Sequence, residues 1–188
     1  MKLPVLIATL ASALFIASPA SAVIITSSTG NNVVTDYSGA ALASFDLDLA
    51  TLSSTTINFI LEEQDLLSPV LSLNALVRNL SGVGIEQFIF SAQGISFAAA
   101  GSVTPTFGTL GTVNYGSNAA VIGFKAPEFA EFHFGNPLGA AGLSDWQLSL
   151  AGLRAGDAFS ITAAVPEPGS VALMLAGLAL LAGRRKQR

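Results

Sequence analysis

Two stretches decide the fold class: Ser44-Phe45-Asp46-Leu47-Asp48-Leu49, and Thr56-Ile57-Asn58-Phe59-Ile60-Leu61-Glu62 beyond a Ser/Thr-rich gap. In the first, Phe45, Leu47 and Leu49 alternate with Ser44, Asp46 and Asp48; in the second, Ile57, Phe59 and Leu61 alternate with Thr56, Asn58 and Glu62. A period of two puts one set of side chains on one face of an extended strand and the other set on the opposite face. Both stretches are therefore strands with a single buried face.

The same period continues outward. Leu71, Leu73, Ala75 and Val77 follow it, as do Glu86–Ser91, Ala120–Lys125, Phe129–Phe134, the set Trp146, Leu148 and Leu150, and the set Phe159, Ile161 and Ala163. Between them lie turn-forming clusters such as Asn79–Gly84, Asn114–Asn118 and Gly135–Gly139. Many short strands separated by such clusters predict a β-sandwich or barrel. Glu62–Leu67 alone reads as a helical turn, limited by Pro69.

Leu150-Ala151-Gly152-Leu153-Arg154-Ala155-Gly156-Asp157-Ala158-Phe159 sits between two alternating strands. Its Leu-x-x-Gly-x-x-Phe spacing is similar to the inter-sheet corner of fibronectin type III domains and related sandwiches. That resemblance implies a leucine plugging the end of the core and an aromatic residue opening the next strand. Phe159 stands where the usual tyrosine would be, so the corner lacks its hydroxyl.

Composition separates the ends from this body. The 188-residue chain is 51% hydrophobic and has no Cys; without residues 1–22 and 170–188 the hydrophobic share falls to about 48%, ordinary for a globular domain. Val23–Val165 carries eleven acids and three bases (Arg78, Lys125, Arg154), a net charge of −8. Such a body is a poor ligand for phosphate backbones, which argues against nucleic acid as a partner.

The first 22 residues have the parts of a secretory signal: Lys2, an apolar run from Pro4 to Ala17, and the small residues Ala20-Ser21-Ala22. Ala20 and Ala22 fit the small-residue requirement of signal peptidase, which predicts export by the Sec machinery and cleavage after Ala22. At the other end Val165-Pro166-Glu167-Pro168-Gly169 precedes an uncharged stretch, Ser170–Gly183, and then Arg184-Arg185-Lys186-Gln187-Arg188. As a helix, residues 170–183 would reach roughly 21 Å, short of a bilayer core of about 30 Å. Arg184, Arg185, Lys186 and Arg188 form a basic membrane stop that places the tail on the cytoplasmic side and the body outside.

This tail resembles the PEP-CTERM sorting signal of Gram-negative bacteria, a label sometimes exchanged with ice-binding protein C-terminal domain. The resemblance implies that an exosortase recognises Pro166-Glu167-Pro168 and removes the helix and basic tail. It also implies a mature protein released from or attached to the cell surface, in bacteria that make exopolysaccharide and biofilm. The sequence thus predicts an all-β chain: one β-sandwich, jelly-roll or immunoglobulin/fibronectin-like, at 23–164, between a signal peptide at 1–22 and a sorting signal with a short transmembrane helix at 165–188. The expected role is non-enzymatic, in adhesion or matrix packing, with a carbohydrate-binding module as the alternative and a hydrolase behind it.

Candidate chemistry in the body is sparse. His133, the sole histidine, shares a strand face with Glu131 in Glu128-Phe129-Ala130-Glu131-Phe132-His133-Phe134, a pair suited to metal ligation or acid–base work. Asp46 and Asp48 share another face, with Asp36 upstream, and are candidates for calcium, although the Asp-x-Asp-x-Asp-Gly loop is absent. The simpler expectation for both is solvated polar faces with no cofactor. A sugar platform would draw on Trp146, Tyr37 and Tyr115, but the phase of Trp146 with Leu148 and Leu150 assigns it to the core. Thr104, Thr106, Thr109 and Thr112 do not make a flat ice-binding array, because Pro105 and Gly108 interrupt them.

Overall fold

The computed structural model describes residues 23–166. The chain lays down β1 (Ile24–Thr29), β2 (Val33–Asp36), β3 (Leu42–Leu49) and β4 (Thr55–Ile60), then a single 3₁₀ turn, Asp65–Leu67. There follow β5 (Val70–Asn79), β6 (Ile85–Gln93), β7 (Ser96–Ala99), β8 (Val103–Pro105) and β9 (Thr109–Tyr115). The last four are β10 (Ala119–Glu128), β11 (Glu131–Phe134), β12 (Trp146–Ser149) and β13 (Ala158–Ala164). Every alternating stretch read from the sequence is a strand, and the predicted helical turn is the 3₁₀ turn.

Two sheets pack face to face. One has the order β1-β4-β13-β6-β10-β9 and is antiparallel throughout. In the other, β2-β3-β5-β11-β8, the long strand β5 is shared: its first half pairs with β12 and its second half with β11, while β7 extends the sheet beyond β12. The β3–β5 pair is parallel. A parallel neighbour requires a crossover, and here β4 supplies it by passing through the opposite sheet.

The core follows from the two inner faces. Phe45, Leu47 and Leu49 from β3 meet Ile57 and Phe59 from β4, while Phe88 and Phe90 meet Phe132 and Phe134. Phe59 stacks on Phe159 with centroids 4.8 Å apart, and Phe134 stacks on Trp146 at 4.4 Å. Trp146 is fully buried, and its indole N–H donates to the Ser102 carbonyl at 3.3 Å, so the ring that dominates the core also has its one polar atom satisfied. Residues 150–159 carry the chain from β12 in one sheet to β13 in the other, with Leu150 and Phe159 both buried, as the corner spacing predicted.

Five strands were not read from the sequence: β1, β2, β7, β8 and β9. All five lie at sheet margins, where exposure weakens the alternation: β1 and β2 are almost uniformly exposed. The interruption at Pro105 and Gly108 is a change of sheet. β8 ends at Pro105 on the outer side of β11, and β9 begins at Thr109 beside β10. Thr104 and Thr112 therefore stand on different sheets, which disposes of a common threonine array.

Candidate functional site

The described part of the sorting motif is Val165-Pro166, at the exit of β13. β13 pairs with β6 from Ser160–Gln93 to Ala164–Ile89, and β6 runs on past that point through Phe88, Gln87, Glu86 and Ile85. The chain thus leaves the sheet alongside a stretch of β6 that β13 does not cover. Val165 and Pro166 wall a pocket of about 380 Å³ together with Leu52, Val83, Pro127 and Phe129. Phe129 is 56% exposed at its rim. Gly84 keeps the space open: a Cβ there would lie 2.6 Å from Phe129 Cζ and 2.8 Å from Pro127 Cβ. Ala20, Ala22, Glu167, Pro168, Arg184, Arg185, Lys186 and Arg188 lie outside the described residues, as do the proposed signal peptide and membrane helix.

Beside this pocket the chain is fastened by a buried carboxylate. Glu128 has no exposed surface. Its Oε2 accepts the N–H groups of Thr106, Phe107 and Gly108 at 2.8–3.0 Å, and its Oε1 accepts that of Ala130 at 2.9 Å. Burial by itself raises its pKa, but the four backbone donors, led by Ala130, outweigh it and hold the group below its ordinary value. Glu128 is therefore the anion that closes the β8–β9 crossover.

The sequence-predicted polar residues converge on the outer face of the β2-β3-β5-β11-β8 sheet. Register sets Asp48 and Glu131 on either side of Arg78, and Asp46 and His133 on either side of Leu76. Arg78 donates to Asp46 at 2.6 Å and to Asp48 at 2.9 Å, and Glu131 lies 3.9 Å from its Nε. Hydrogen bonds donated to Asp48 and then Asp46 raise the Arg78 pKa above its usual value. Glu131 and His133 share the face as expected, with Oε1 and Nε2 3.8 Å apart. The two candidate metal pairs therefore belong to one cluster with a guanidinium at its centre.

Arg78 occupies the position from which a cation would have to satisfy Asp46 and Asp48. Among the described residues, no group of three or more His, Asp or Glu is arranged to hold a metal ion. Asp36 is not part of the cluster. It pairs with Phe45, one residue out of phase with Asp46, and accepts the Ser38 N–H at 2.8 Å to close its own turn. Tyr37 is 59% exposed and Tyr115 48% exposed, the latter edge-on against the buried Trp146 at 5.8 Å.

Sequence reasoning missed Arg78, Glu128 and Asp65. Glu128 had a legible signal, since it keeps the phase of Ala120, Ile122 and Phe124 along β10. Asp65 had none: nothing in Glu62-Glu63-Gln64-Asp65 separates it from its exposed neighbours.

The family model of the PEP-CTERM protein-sorting motif matches residues 164–188. No curated protein and no solved structure matches the chain. The motif marks an exported protein addressed to an exosortase. Its match opens on Ala164, the last residue of β13.

Proposed function

We propose that this chain is a non-enzymatic surface or extracellular-matrix protein of a Gram-negative bacterium, associated with exopolysaccharide or biofilm. The Sec machinery and signal peptidase deliver it, the helix at 170–183 tethers the precursor to the inner membrane, and exosortase cuts at Pro166-Glu167-Pro168. The observation that carries this reading is the abutment of fold and signal: β13 ends where the sorting match begins. Removal of the signal leaves all thirteen strands in place. Two prolines also keep the motif extended and poor in hydrogen bonds, in the form a protease reads.

Intact-mass analysis of the extracellular protein tests the proposal. The expected species begins at Val23 and lacks Arg184–Arg188. A secreted species that retains the basic tail overturns exosortase processing.

A second reading, glycan binding, is favoured by the gathering of Asp46, Asp48, Arg78, Glu131 and His133 on one sheet face, since carboxylates and a guanidinium hydrogen-bond sugar hydroxyls. Calorimetric titration against the producer's polysaccharide distinguishes it. Saturable heat that disappears in Arg78→Ala supports glycan binding, and the absence of heat with every glycan leaves the matrix role.

A further inference from the structure

Val23 is anchored inside the fold. It is 2% exposed, its side chain joins the hydrophobic core, and its backbone nitrogen lies 3.3 Å from Oδ1 of Asp65. Asp65 has no exposed surface. Its Oδ1 also accepts the Ala41 N–H at 2.9 Å and its Oδ2 the Glu62 N–H at 2.9 Å. None of the ion pairs among the described residues involves Asp65. It is a buried carboxylate held by three backbone N–H groups, with no cation paired to it among the described residues.

A second observation marks the same place as one held under tension. Ala41 has φ = 56°, the sole non-glycine residue with positive φ among those described. A left-handed backbone is unfavourable for an alanine and persists where its surroundings over-determine it. Asp65 holds its N–H, and its carbonyl accepts the Ser72 N–H at 2.9 Å. One carboxylate thus joins the start of the chain body, the turn before β3 and the turn after β4.

While residue 22 is attached, the Val23 nitrogen is a neutral amide. Hydrolysis of the Ala22–Val23 bond breaks one C–N bond and places the oxygen of water on the departing Ala22 carboxylate. Both hydrogens of that water end on the Val23 nitrogen, which becomes an α-amino group, mostly in its ammonium form at neutral pH. We propose that Asp65 is a latch for the new N-terminus: removal of the leader turns the Val23–Asp65 hydrogen bond into a buried ion pair, and the body reaches full stability only then. The proposal rests on the reading of cleavage after Ala22. Opposite charges at this separation attract strongly when water is excluded, and the carboxylate is already desolvated before the cut. Maturation supplies the missing cation without moving a strand.

The test compares four forms of the chain in the same detergent micelle: the uncut precursor, residues 22–188, residues 23–188 with a free amine, and residues 23–188 with an acetyl cap on Val23. The cap keeps one N–H and removes the charge; the extra Ala22 moves the charge away. Urea unfolding followed by Trp146 fluorescence should find the free-amine form at least tenfold more stable than the other three. Asp65→Asn should abolish that difference. Equal stability of the free-amine and capped forms overturns the latch without requiring any variant to fold. Mass analysis of the exported protein separates the two failures. A first residue other than Val23 rejects the leader reading and the latch with it, whereas Val23 followed by equal stabilities rejects the latch alone.

Discussion

The two ends of the body are built in opposite ways. β1 and β13 both pair with β4, so register fixes where each end lies: Ile24 and Ala158 are opposite Ile60, whereas Thr29 and Thr162 are opposite Thr56. Val23 therefore emerges at one end of the sheet and Val165 at the other, about 20 Å apart along the seven residues of β13. At the first end the backbone is buried against Asp65. At the second it is half-buried beside an open pocket rimmed by an exposed phenylalanine. The backbone at Val23 is absorbed into the core, and the segment that opens the sorting motif is left outside it.

The sharpest way to break the contrast is to remove what both ends lean on. Phe90 meets Phe45 and Phe134 across the sandwich and Phe88 on its own strand. Phe90→Ala should cost about 3–5 kcal/mol, seen as a fall in the urea midpoint with an unchanged slope. Both ends should loosen together in hydrogen exchange.

Asp65→Ala should act on the N-terminal end alone. It leaves three donors, on Val23, Ala41 and Glu62, without their acceptor, for a loss of about 2–4 kcal/mol. Faster amide exchange at Ala41 and Glu62 with unchanged exchange at Thr106 and Phe107 would sharpen the comparison; uniform acceleration would break it.

Glu128→Gln is the counterpart near the exit, with an expected cost of about 1–2 kcal/mol, because the amide oxygen still accepts some of the four bonds. Its pH dependence has a definite sign. The folded-state pKa of Glu128 is lowered, so its contribution is complete above the ordinary glutamate value of about 4.3 and is lost as pH falls through the folded value. The stability gap between wild type and Glu128→Gln should therefore narrow under acid. A gap that widens under acid contradicts the assignment.

Gly84→Ala should have the smallest effect, about 1 kcal/mol, the lower end of the cost of overpacking. The new methyl meets the far end of the Phe129 ring, which is exposed enough to swing away, and Cβ of Pro127 at 2.8 Å, which yields only with a small backbone shift. Its signature is a smaller pocket beside Val165 with the N-terminal end unchanged, visible as chemical-shift changes confined to residues near Val83 and Phe129.

Legibility followed the same division. Interior strands could be read because one face is packed and the other solvated, and Phe45-Asp46-Leu47-Asp48-Leu49 writes that difference directly into composition. The margins could not: β1 and β2 are solvated on nearly every residue, so neither face had reason to become apolar. In the candidate site, the pairing of Glu131 with His133 and of Asp46 with Asp48 was legible from spacing within single strands. Their union around Arg78 was not, since it depends on β3 lying parallel to β5, thirty residues away in sequence for Asp48 and Arg78.

By itself, then, the sequence determined the all-β class, the identity of most core side chains and the sorting address at 164–188, because each is encoded by local periodicity or a contiguous motif. Only the tertiary structure decided which carboxylates are buried, that an arginine occupies the centre of the acidic face, and that Val23 and Val165 lie at opposite ends of one sheet. These depend on strand order and register. Long-range backbone pairing sets both, and no short window of sequence contains them.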